Sequence, residues 1–152
     1  MATARRARLR CGMKNPFDGE AVWAKQFDMD TKEVGLKVVE LVRQQAWREA
    51  IDSLYARDVV SVEAQGRDVA SPEKRGIDAV RAKTDWWVEM MTVYDLKETG
   101  PFVAHDRFVV LYDFEFGEKG SPDRIKMSEA GVYTVKDGKI VREEFLPLAS
   151  AE

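Results

Sequence analysis

The chain has 152 residues, 45% of them hydrophobic and 34% charged, with a formal net charge of −3 and one cysteine. That length suits one domain with a sizeable core, and the composition is that of a globular chain rather than a disordered one. The charge balance offers no basic footprint for nucleic acid, and no apolar run approaches the ~20 residues of a membrane span. Cys11 has no internal disulfide partner, which fits a cytoplasmic location.

The first twelve residues, MATARRARLRCG, hold four arginines and no acid. They lack the apolar stretch of about 7–15 residues that a secretory signal needs. A disordered tail and a short targeting peptide both suit this composition. The expectation is a disordered extension over residues 1–29 and one domain over 30–149.

Asp30 and Glu33 have the spacing of a capping box, and Val34, Val38, Leu41 and Val42 follow at helical intervals. Ala50, Ile51 and Leu54 extend a second stripe beyond a gentle break near Trp47. The β-branched Val59, Val60 and Val62 predict a strand, and QGRDVASPEKRG reads as a loop. A further helix starts at Gly76. Its stripe is Ile77, Val80, Thr84, Trp87 and Met91, flanked by Ala79, Lys83, Trp86 and Met90. After Thr92 four strands follow, VYDLKETGPFVAH, RFVVLYDFEFG, DRIKMSEAGVYTV and GKIVREEFL. Gly100-Pro101 bends the first, and Asp137-Gly138 predicts a two-residue type I′ hairpin between the last two. Helices followed by an antiparallel meander is α+β organisation.

This order of elements, with GIDAVRAKTDWW, GPFVAHDRFVV and YTVKDGKIVREEF, resembles the SnoaL-like family of the nuclear transport factor 2-like superfamily over Thr31–Leu148. The resemblance implies a cone-shaped curved antiparallel sheet wrapped around N-terminal helices, a pocket at its wide end, and frequent homodimers. Its relatives include ketosteroid isomerases, polyketide cyclases, epoxide hydrolases and proteins that only bind ligands. A reaction is not implied, because chemistry belongs to the site rather than the fold.

Glu129 shares a strand face with Ile125, Met127, Gly131, Tyr133 and Val135, an odd place for a carboxylate. Facing a dry hollow, it would have its pKa raised into the range of a general base. Pairing with a cross-strand cation is the plainer alternative. Glu63 and Asp113 are the other candidate catalytic carboxylates. Asp113 and Glu115 also fit the solvent side of a strand near the sheet edge, and Glu63 a solvated strand end. Similarity to the epoxide hydrolases would require an arginine between two acids; Asp113, Glu115 and Phe145 occupy the corresponding positions, which argues against that reaction. Glu143 and Glu144 point to opposite faces, so at least one belongs to the surface.

Tyr55, Lys83, Trp86, Trp87, Met90 and Met127 are the candidate ligand-lining residues, although Trp87 also reads as core. The row Tyr112, Phe114, Phe116 would form a dimer surface if it pointed outward. His105 sits at a hairpin tip, and one histidine with one cysteine cannot assemble an N/S metal site. No nucleotide-binding glycine motif or G-x-S-x-G element occurs, and no cofactor is expected. Two functions follow: a cofactor-free isomerase, cyclase or lyase acting on an apolar carbonyl compound, or a non-catalytic dimeric ligand-binding module.

Overall fold

The computed structural model describes residues 29–63 and 72–149, so the expectation for the N-terminal extension lies almost wholly outside them. Helix α1 (Thr31–Arg43) opens with the capping box foreseen at Asp30 and Glu33, whose two reciprocal side chain–backbone bonds are both 2.8 Å. It buries Val34, Val38, Leu41 and Val42. The chain breaks at Gln45, which takes a positive φ of 54°, and restarts as α2 (Trp47–Leu54). Strand β1 (Tyr55–Val62) follows directly. The expected loop contains one short strand, β2 (Glu73–Arg75), and then α3 (Ile77–Met90) begins after Gly76.

The meander is β3 (Met91–Ala104), β4 (Arg107–Glu118), β5 (Ile125–Lys136) and β6 (Lys139–Pro147). Asp137 and Gly138 have φ of 50° and 70°, as a type I′ turn requires. In β3 the register slips between Thr99 and Phe102, at the Gly100-Pro101 pair. The six strands form one sheet in the order β2-β1-β6-β5-β4-β3. Its meander is antiparallel, but β1 pairs parallel to β6, so the sheet is mixed. That parallel pairing brings the first strand to the last one and sets the position of the functional side chains below.

The helices cover the concave face of the sheet. Phe108, Val110, Tyr112 and Phe116 of β4 point towards them and are at most 3% exposed. The first three share one core with Val34, Val38, Leu54 and Val80, and Phe116 packs against Trp87. Tyr112 and Phe116 are buried and Phe114 half-buried on this inward face, so the outward dimer surface considered for this row is corrected. The convex face carries a different apolar band. Phe102, Val109 and Val132 lie on adjacent strands in register, as do Leu111, Ala130 and Leu146. Among the described residues, no helix is long and apolar enough to cross a membrane.

Candidate functional site

A bulge in β6 decides which acids point inward. Thr134 pairs with Arg142 but Val135 pairs with Ile140, leaving Val141 as an extra residue. Ile140 and Glu143 are three apart, yet both face the helices, at 0% and 2% exposure. The parallel pairing sets Ser61 beside Glu143, and β5 sets Tyr133 on its other side.

Glu143 is held by three side chains from two elements, β1 and α3. Tyr55 donates its hydroxyl to Oε2 at 2.5 Å, Ser61 donates to Oε1 at 2.6 Å, and Lys83 Nζ approaches Oε1 at 3.3 Å. Lys83 also donates to Ser61 Oγ at 2.7 Å and to Glu63 at 2.6 Å. An ion pair this far from water survives only when its polar atoms are satisfied, and no buried side-chain polar atom lacks a partner among the described residues. Burial pulls the Lys83 pKa down, but the carboxylates of Glu143 and Glu63 outweigh it and leave the ammonium more firmly protonated than usual. Burial, reinforced by the charge of Glu143, pushes the Tyr55 phenol well up, so it stays a donor.

The Tyr112 and Tyr133 hydroxyls meet at 2.8 Å beside this cluster. Tyr133 stacks on Phe108 with ring centroids 4.7 Å apart and meets Phe145 edge-on at 6.2 Å. Gly131 makes room for the pair: a Cβ there would sit 2.8–2.9 Å from atoms of both tyrosines. Lys83 Nζ stands 5.1 Å from the centre of the Phe145 ring.

Glu129 is half-buried on this same face, opposite Tyr112 on β4 and Pro147 on β6. It is close enough that its charge adds to the burial that raises the Tyr112 phenol. Its face also carries the half-buried Met127 and Phe145, next to Phe114 of β4. Glu63, Lys83 and Tyr55 come together around Glu143. Asp113 does not join them. It lies on the convex side, exposed, and accepts a bond from Ser128. Trp87 packs on Phe116 with centroids 4.9 Å apart, Met90 is half-buried, and Trp86 is 55% exposed.

Clefts near two of the candidate lining residues open on the described surface. Trp87 lines one, with Trp47 and Met91; Tyr55 lines the other, between α2, α3 and β1. Neither includes Glu129, Glu63 or Asp113. Sequence reasoning missed Glu143 and Ser61 as the centre of the cluster. The signal in the sequence was that Glu143 and Glu144 occupy opposite faces, which put at least one at the surface and singled out neither. No cluster of His, Cys, Asp and Glu among the described residues could hold a metal ion.

A model of the SnoaL-like domain matches residues 29–146, most of the chain. The chain belongs to the SnoaL-like family. A Mesorhizobium loti protein provisionally named a SnoaL-like polyketide cyclase is 33% identical over 78% of this chain and 99% of its own, with a TM-score of 0.71. An NTF2-like protein of Burkholderia thailandensis shares the fold at 16% identity, covering 79% of this chain and 92% of its own, with a TM-score of 0.67. A Catenulispora acidiphila protein with a ketosteroid isomerase-like fold, solved with trimethylamine, matches at 16% identity over 66% of this chain and 74% of its own, with a TM-score of 0.55. None of the curated proteins compared with the chain matches it.

Proposed function

We propose that this SnoaL-like protein binds an apolar carbonyl compound against the concave face and moves a proton on it without a cofactor. The observation that carries the reading is the half-buried Glu129 carboxylate on the face shared with Met127 and Phe145, whose ring Lys83 approaches. Glu129 would take a proton from the carbon next to the carbonyl. The C–H electron pair moves into a new C=C bond, the carbonyl π pair moves to oxygen, and Lys83 offsets that negative charge. Return of the proton from Glu129 to another carbon completes an isomerisation; in a cyclisation the enolate carbon bonds to a second carbonyl carbon of the same molecule, that carbonyl's π pair moves to its oxygen, and the alkoxide takes back the proton held by Glu129. Glu63 and Glu143 keep Lys83 charged and in place. The M. loti relative, named for polyketide cyclisation, supports the same class of chemistry.

Substitution Glu129→Gln keeps the shape and removes the base. On a carbonyl substrate turned over by the parent, kcat is expected to fall by about 10²–10⁴-fold with KM little changed. Unchanged turnover would remove Glu129 from the mechanism.

The convex band favours a second reading, that of a dimeric module. Phe102 and Leu146 are 55% and 45% exposed, in register with Val109, Leu111 and Val132. A second copy packed there would cover an apolar surface otherwise left in water. Light scattering is expected to give a dimer for the parent and a monomer for Leu111→Arg. A monomeric parent at working concentration would refute this reading.

A further inference from the structure

A cleft of about 640 Å³, within the range of small-molecule sites, is lined by Tyr55 but not by Glu143. Four cationic side chains from different parts of the chain line it: Arg57 of β1, Arg75 of β2, Arg81 of α3 and Lys139 at the start of β6. Only two acids, Asp52 and Asp78, line it with them. Arg81 engages both, at 2.8 and 3.0 Å. Asp52 is shared further with Arg48, so the acids are already used.

The other three cations are not neutralised to the same degree. Arg75 reaches Glu73 on its own strand. Lys139 donates to the neutral Ser53 carbonyl at 2.6 Å, which positions the ammonium without cancelling its charge. Arg57 makes no ion pair with any described residue. Gly76 also lines the cleft, and no side chain caps the helix that starts there. Arg57, Arg75 and Lys139 line this cleft from three separate strands, and guanidinium groups beside an ammonium suit an anion with acceptor oxygens in several directions, as phosphate has.

We propose that this cleft is a binding site for a phosphate ester or diphosphate group, distinct from the concave face where the carbonyl chemistry is placed. Tyr55 lines the cleft, and its hydroxyl holds Glu143. The anion would rest on Arg57, Arg75 and Lys139.

Titration calorimetry of the full chain with inorganic pyrophosphate tests this, alongside amide shifts of Gly76, Ile77 and Asp78 in NMR spectra. The parent is expected to bind pyrophosphate, more weakly as salt rises, and to shift those amides. Arg57→Gln with Arg75→Gln should weaken binding by roughly tenfold or more. Lys37→Gln with Lys97→Gln removes the same charge elsewhere and should leave binding nearly unchanged. Thermal melts of each variant confirm that it is folded. No binding by the parent at millimolar pyrophosphate, equal weakening by both pairs, or equal affinity for citrate would each overturn the proposal.

Discussion

Replacing Glu143 by alanine is expected to destabilise the protein by about 3–5 kcal/mol, the range for breaking a buried ion pair on one side. The loss has three sources in the structure. Lys83 would keep only Glu63, whose side chain is 34% exposed, as its counter-charge. The Tyr55 and Ser61 hydroxyls would lose the acceptor they share. A cavity would open where β1, β5 and β6 meet. Glutamine at the same position preserves volume and one of the two acceptor oxygens, so it should cost less than alanine, although the charge and one acceptor are lost. Adding Lys83→Met to Glu143→Gln should recover part of that loss, since the double variant leaves no unpaired charge in the interior. Urea midpoints at constant m-value provide the measurement. A loss for the alanine variant below about 1 kcal/mol would mean that the pair behaves as if it were in water.

The second large effect is alkaline unfolding. Burial is the main influence on Tyr55, Tyr112 and Tyr133 and pushes all three phenols up, with the Glu143 charge adding to each. A tyrosine in the unfolded chain ionises near pH ~10. Because the folded pKa values are higher, the native state retains protons that the unfolded state releases. This stabilising contribution is intact below about pH 10 and is lost as pH climbs towards the folded values. Lys83, also raised, acts with the same sign from about pH 10.4 upward. Each such group contributes a slope of about 1.4 kcal/mol per pH unit once its unfolded form has titrated. Stability should therefore collapse steeply in the alkaline range. Tyrosinate absorbance from the buried three should rise only together with loss of the circular dichroism signal, and Tyr55→Phe should make the fall shallower. Ionisation of these tyrosines while the fold persists would contradict their placement in the core.

Local chemistry was legible without coordinates. The Asp30–Glu33 capping box, the Asp137-Gly138 turn and the bend at Gly100-Pro101 each depend on residues within a few positions of one another. The helical stripe of Val34, Val38, Leu41 and Val42 likewise records its buried face directly. The family resemblance added the sheet architecture, which the domain match over residues 29–146 bears out. The three-residue β2 was read as loop because its charged sequence EKR acquires strand geometry only by pairing with β1.

The site was a different matter. Residue alternation along a strand says which side chains share a face, but one extra residue reverses the parity, and Val141 does this just before Glu143. Ser61 meets Glu143 across 82 positions of sequence, through a parallel pairing that no turn signal announces. Sequence alone determined the elements, their caps and turns, and the family, because those follow from neighbours along the chain. Only tertiary structure decided which carboxylate is buried and which cation answers it, because strand register and sheet order are fixed by packing between distant segments.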